Sequence, residues 1–352
     1  MNRLKKHSSL LFLLTVLLTI ILINLSCEDN PVEPNEPPPG RRDYVWEEYR
    51  IKFEVDLLQL NDFWASSPTN VWGAAGAASS IYYSVVHFDG TTFEHYPIEA
   101  PGPNPTFVWG LDSTNVWLST SNNSIWHFDG KEWYKQQDLS VDGYDNVTIQ
   151  SLWGNSIDNL YGVGAAQNYS THDYIGVIIK YENGVWNFLD IPDFKVGFNS
   201  IRKDPQTGQL FISATNFDNG FLEKLFVHNG KELEEVYSEY SSDLAPVILG
   251  NKLVILLDQI IYKYNYSTKK LEKFIDLTGT YLWGGIRGRS INDFFAVAAD
   301  GIGHYNGTNF ETIYKTNLDL TLAFVMAEDV FFPGTDLNTR ETVLIHAKLK
   351  EE

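Results

Sequence analysis

Val108-Trp109-Gly110-Leu111-Asp112-Ser113-Thr114-Asn115-Val116-Trp117 sets a tryptophan eight positions ahead of an aromatic that follows Asn and an aliphatic residue. The same order runs earlier from Phe63-Trp64-Ala65 to Asn70-Val71-Trp72, and later from Leu152-Trp153-Gly154 to Asn159-Leu160-Tyr161. A fourth copy, Leu282-Trp283-Gly284 to Asn292-Asp293-Phe294-Phe295, carries about four extra residues in its turn. Copies without the tryptophan start near Ile201, Val247 and Phe324, which brings the number to seven.

Most copies then run into an aromatic-rich strand that ends in a Gly turn: Asp89-Gly90, Asp129-Gly130, Asn183-Gly184, Asn229-Gly230 and Asn306-Gly307. Asp-Gly and Asn-Gly suit a type I′ turn, whose two central residues both need positive φ, so each predicts a hairpin. Four short strands per repeat of roughly 44 residues is the unit of a propeller blade, which buries both faces only by stacking in a ring. The fold class expected is therefore all-β, a single β-propeller of about seven four-stranded blades.

The last copy supplies only three strands. Tyr44-Val45-Trp46-Glu47-Glu48-Tyr49-Arg50 alternates apolar and polar residues ahead of blade 1. It is expected to complete the final blade and leave the ring without an open edge. The repeats resemble bacterial propeller repeats of the Trp-Gly-x-Ser-x-x-Asp/Asn-aliphatic-aromatic type, akin to the propellers of two-component regulators. That resemblance implies the fold and leaves the function open, because propellers host enzymes, sensors and scaffolds alike.

Ahead of the repeats, Arg3, Lys5 and Lys6 precede an apolar run from Leu10 to Ile23 and then Asn24-Leu25-Ser26-Cys27. This is the order of an export signal, and the run is short for a membrane span of about 20 residues. The segment resembles a bacterial lipoprotein signal, which implies lipidation of Cys27, the only cysteine of the chain. Pro31, Pro34 and Pro37 to Pro39 then give a stalk of polyproline character. The expected domains are a signal peptide over residues 1–26, a lipidated tether over 27–43 and a propeller over 44–352. Glu28 and Asp29 resemble the surface-export signal of lipoproteins in Bacteroidota-like bacteria. They imply an outer-membrane anchor at the cell surface, with a periplasm-facing anchor as the other orientation.

Beyond residue 26 the chain holds 23 basic against 45 acidic residues, a field that disfavours nucleic acid as a partner. No paired Cys or His-x-x-x-His spacing, EF-hand loop or phosphate-binding Gly loop is present, so neither cofactor nor metal is expected. The propeller's arginines, at 50, 202, 287, 289 and 340, are too few for a sialidase-type cluster. His87, His127 and His304 ride on the repeat and are expected to cap the hairpin turns. Trp64, Trp109, Trp153 and Trp283 are read as packing between blades rather than as a sugar-stacking set.

The copies differ most in the segments joining strands two to three and one blade to the next, which share a face of a propeller. These are longest in the first half of the ring, at 73–83, 97–106, 136–146, 163–174 and 214–221, and long loops on a rigid scaffold concentrate binding. They carry Tyr82, Tyr144, Tyr169, His172, Asp173, Phe217 and Asp218, the candidate ligand-binding set. The function expected is a monomeric, non-catalytic binding or scaffold propeller for a protein or polysaccharide. The alternative is a hydrolase or lyase with acids at the central funnel.

Overall fold

The computed structural model describes residues 39–51, 58–77, 84–96, 105–241, 243–280 and 282–351. Cys27, the segment read as a signal peptide and Tyr82 lie outside them. The body from Pro39 to Glu352 is one compact unit of seven antiparallel sheets and no helix among the described residues. It is a seven-bladed β-propeller.

The innermost strands of blades 1 to 6 are Leu58–Ser67, Pro105–Asp112, Asn146–Gly154, Gly197–Lys203, Leu244–Leu249 and Leu282–Ser290. In blade 7 this position is shared by two short pieces, Asp319–Leu320 and Phe324–Val325, both paired with Asp329–Asp336. Each inner strand packs on the next, and Phe324–Val325 packs back on Leu58–Ser67 to close the circle.

The eight-residue spacing of the repeat is the register of the inner hairpin. Trp64 faces Trp72, Trp109 faces Trp117 and Trp153 faces Tyr161 across it. The second strands are buried on both faces, as in Leu210-Phe211-Ile212-Ser213-Ala214, because a blade is covered on each side by a neighbour. The apolar cores accordingly lie between blades. Val108, Val116, Leu118 and Phe128 of blade 2 meet Trp64, Trp72, Ala74 and Val85 of blade 1, for example. Each fully buried side chain of this kind contributes about 1.5–3 kcal/mol.

Trp64, Trp109 and Trp153 do pack between blades. A Cβ on Gly110 would lie 2.6 Å from the Trp64 ring, and one on Gly154 would lie 3.2 Å from the Trp109 ring. Gly110 and Gly154, each following a tryptophan, are thus the floor for the tryptophan of the preceding blade. Blade 6 departs from the sequence reading. Phe295 faces Arg287, while Trp283 pairs with Val297 beyond a bulge. Arg287, not Trp283, holds the repeat position there.

Tyr44–Ile51 pairs antiparallel with Glu341–Leu349 over eight residues, from Tyr44 opposite Leu349 to Ile51 opposite Thr342. The closing strand expected from the sequence is therefore in place. The seat extends further than expected, into the stretch assigned to the tether. Gly40 N–H donates to Asn292 O, and Arg42 donates to His304 O and Asn309 O of blade 6.

The Gly turns follow two geometries. Only Asn183-Gly184 has both φ values positive, at 54° and 84°, and is the type I′ turn the dipeptide predicts. At Asp89, Asp129, Asn229 and Asn306 the turn spans four residues. The Asp or Asn Oδ1 accepts the N–H groups two and three residues on, at 2.8–3.1 Å. A side chain that can accept both N–H groups favours this wider turn, and only the glycine needs positive φ.

His87, His127 and His304 do not cap these turns. Their rings lie against Trp72, Trp117 and Phe295 with centroids 4.3–4.5 Å apart, and His346 lies against Phe331 in the same way. His87, His304 and His346 hydrogen-bond Asn70, Asp293 and Asp329, each two residues before the stacked aromatic. Their role is structural, as the repeat implies, but it is played inside the blade.

Candidate functional site

Tyr82 aside, which lies outside the described residues, the loop residues singled out from the sequence come together on one face, at the edges of blades 3 and 4. The segment 163–174 is mostly strand, Leu160–Asn168 turning into Asp173–Glu182 through four residues. Tyr169 N–H donates to Asp145 at 2.8 Å and Tyr144 OH donates to Asp173 at 3.3 Å. His172 is exposed at the turn with φ of 58°. Lys195 pairs with Asp173 and holds its carboxyl below the usual carboxylate range. The Tyr174 hydroxyl accepts the N–H groups of Phe217 and Asp218 at 2.9 and 3.1 Å, which locks the blade 4 turn against blade 3.

That lock presents bare rings to solvent. Tyr169 is 61% exposed, Phe217 44% and Phe221 65%, with the Phe217 and Phe221 centroids 5.8 Å apart. Phe221 was not in the sequence-derived set. Its φ of 66° is uncommon for a bulky residue and turns the ring outward beside Phe217.

A second site lies at the central funnel, the place of the alternative reading, for which the sequence named no residues. A cavity of about 630 Å³ runs into the channel and is lined by residues of all seven blades. Its walls are the C-terminal halves of the inner strands and the turns that follow them, including Asn155, Asn159, Lys203 and Asp204. It therefore opens on the face opposite Tyr169 and Phe217. The register position that faces the second-strand residue reads Trp64, Trp109, Trp153, Arg202, Val247, Arg287 and Phe324 around the ring. Tryptophan in blades 1 to 3 gives way to arginine in blades 4 and 6.

Asp62, from blade 1, completes the polar part of the cavity and accepts the Val108 N–H at 3.1 Å. Burial pushes its carboxyl up to about 7, against the pull of its backbone hydrogen bonds and of Arg287 and Arg202. Burial also pulls Arg202 down to about 9, helped by the like charge of Arg287, and lowers Arg287. Nη1 of Arg202 donates to Ile201 O at 2.6 Å and meets Ser151 Oγ at 3.5 Å, while Nη1 of Arg287 donates to Ile286 O at 2.9 Å. The arrangement is a polar pocket with cationic and aromatic walls, suited to holding an anion or to placing a carboxyl that titrates near neutrality.

The sequence carried a signal for one of these arginines. Counting eight residues back from Phe295, rather than searching for tryptophan, lands on Arg287, whereas the blade 4 hairpin is one residue longer and Arg202 lies nine before Phe211.

No protein-family model and no curated protein sequence matches the chain. Among solved structures, it is similar to a catalytically inactive virginiamycin B lyase from Staphylococcus aureus with quinupristin. That match has TM-score 0.59 and 12% identity, covering 86% of this chain and 99% of that one. It is similar also to YCF48 bound to D1 peptide, with TM-score 0.60, 12% identity and coverage of 90% and 100%. An oligogalacturonate lyase in complex with manganese matches with TM-score 0.56, 9% identity and coverage of 90% and 99%. At these identities the likeness is one of fold.

Proposed function

We propose that the chain is a cell-envelope lipoprotein, lipidated at Cys27 and anchored at the outer membrane facing the cell exterior. Its propeller is a non-catalytic binding or scaffold module for a protein or polysaccharide. The observation that carries this reading is the shelf of Tyr169, Phe217 and Phe221. These rings are exposed although the turns beneath them are pinned by hydrogen bonds. Rigid aromatic side chains beside short acids and amides give large contact area at low entropic cost, which suits a binding face. That a propeller of similar fold is found with a bound peptide fits the same use. The lipid anchor rests on the Leu25-Ser26-Cys27 order behind the apolar run, and the outward orientation rests on Glu28 and Asp29.

The test is affinity capture by the full chain in its own cells, beside a glycan array, for wild type and for Phe217→Ser with Phe221→Ser. A partner or glycan that the double variant loses supports the reading. A ligand retained in full by that variant sinks it. Mass spectrometry of the mature N-terminus and surface proteolysis of whole cells check the anchor, and an unlipidated Cys27 removes it.

A second reading, a hydrolase or lyase centred on the funnel, is favoured by Asp62, a carboxyl titrating near 7 beside two arginines. Such a group suits general acid–base work at neutral pH. Turnover of any substrate that Asp62→Asn abolishes would establish it over the first.

A further inference from the structure

The chain carries 45 acidic against 26 basic residues, yet two arginines inside its channel have no carboxylate in direct contact, although the Asp62 carboxyl lies in the same cavity. Arg42, Arg50 and Arg289 each have a carboxylate oxygen within 3.2 Å. Arg202 and Arg287 have none within ion-pair distance among the described residues. Only Nη1 of each finds a protein partner, mainly the carbonyl of the residue before it. The rest of both guanidinium forks has no protein acceptor among those residues.

Folding does not ask for these charges. The same register position is filled by tryptophan in three blades, by Val247 in blade 5 and by Phe324 in blade 7. Two cations in a half-buried channel, where the charge of Arg287 helps burial lower Arg202, cost stability relative to apolar residues of similar size. A costly, unpaired pair at positions where the fold accepts apolar residues is what a site for an anion looks like before the anion arrives.

We propose that the channel binds a small organic anion. Its carboxylate is held between Arg202 and Arg287, and its ring-sized body lies against Trp109 and Trp153. The cavity volume of about 630 Å³ admits a ligand of one or two sugar rings. Tryptophan faces on one arc and guanidinium forks on another separate the apolar and anionic ends of such a molecule, which an acidic sugar or an aromatic acid presents. Arginine rather than lysine suits this work, because its planar fork meets a carboxylate in two parallel hydrogen bonds. The inference does not rest on the Tyr169 and Phe217 face, which lies at the other end of the channel.

The probes are glucuronate, galacturonate and benzoate, with glucose as the uncharged counterpart, titrated into the full chain at constant ionic strength. Intrinsic fluorescence reads the channel tryptophans, and the unfolding midpoint reads binding independently. At least one acid is expected to give a saturable fluorescence change and a raised midpoint, with glucose giving neither. Arg202→Gln and Arg287→Gln are each expected to weaken that acid by 10-fold or more, and the double variant to lose it. Phe217→Ser with Phe221→Ser is expected to leave it unchanged. Because each Gln variant relieves a buried charge, its midpoint without ligand is expected to hold or rise, so lost binding is not lost folding. Arg287→Lys serves as the charge-preserving check and should bind more weakly than wild type but better than Arg287→Gln. No response to any acid, an equal response to glucose, or undiminished binding by the double Gln variant overturns the proposal.

Discussion

The Asp62 carboxylate accepts the Val108 N–H at 3.1 Å, tying the inner strand of blade 1 to that of blade 2 from inside the channel. Burial raises this carboxyl to about 7, well above an unfolded aspartate. Between about pH 4 and 7 the folded chain therefore holds a proton that the unfolded chain has released, and stability falls as pH rises through that window. Asp62→Asn is expected to flatten this slope and raise the unfolding midpoint at pH 8, where wild type carries the buried charge. Equal pH slopes in urea titrations of the two proteins would contradict it.

The same titration bears on the anion site. With Asp62 protonated the charges of Arg202 and Arg287 are uncompensated, so acid affinity should rise from pH 8 to pH 6 and the rise should vanish in Asp62→Asn. The other acid felt by Arg287 is Asp243, which burial, helped by Asp258, raises to about 6. Asp243→Asn should leave the change between pH 8 and pH 7 in place, and isothermal titration at three pH values separates the two.

His127 lies parallel to Trp117, and its buried Nε2 has no hydrogen-bond partner among the described residues. Burial lowers its pKa, against the pull of Asp129 and Asp112. A histidine whose folded pKa lies below the unfolded value contributes stability that is lost as pH falls through about 6.5. His127→Phe keeps the ring contact and removes the proton site. It is expected to unfold less readily than wild type at pH 5 and similarly at pH 8, as followed by circular dichroism.

Gly110→Ala would put a methyl group 2.6 Å from the Trp64 ring. Trp64 is 8% exposed and packed among buried residues of blades 1 and 2, so it has little room to withdraw. The expected cost is about 1–3 kcal/mol, read as a lower urea midpoint at constant slope. Gly230→Ala is the contrast. Nothing lies within 4 Å of its Cβ, so its cost should come from the φ of 93° alone.

Removing residues up to Ile51 would strip the eight-residue pairing from Glu341–Leu349 and expose a bare strand edge. The truncated chain is expected to self-associate by light scattering. A synthetic peptide covering residues 40–51 should restore a single species, and failure of the truncated chain to associate would count against closure by this strand.

The number of blades was legible because two independent marks recur together, the tryptophan with its partner eight residues on and the Asp/Asn turn. The phase of blade 6 was not. Trp283-Gly284 imitates the repeat, but a bulge between Trp283 and Ile286 shifts the pairing so that Arg287 meets Phe295. The channel residues stayed hidden for a related reason. The inner hairpin of blade 4 is one residue longer than the repeat, so the eight-residue spacing from Phe211 lands on Lys203 and passes over Arg202. The stretch from Val163 looked like loop because of Gly164, Ala165 and Ala166, yet these small residues let two strands approach closely. A Cβ on Gly164 would lie 1.9 Å from Thr148 O. The clustering of Tyr144, Asp173, Phe217 and Asp218 on one face was legible from propeller connectivity. Phe221 escaped notice because its exposure comes from a backbone angle.

The pairing of Tyr44–Ile51 with Glu341–Leu349 also sets an order of events. During synthesis the first strand of the body is made about 290 residues before its partner. Six blades can form by local hairpins as they emerge, but the seventh, and with it an axial cavity with a complete wall, waits for the last strand. The closed axial cavity is thus the final thing the chain acquires, and a ribosome-bound or C-terminally clipped molecule would be largely folded yet have a breach beside Phe324.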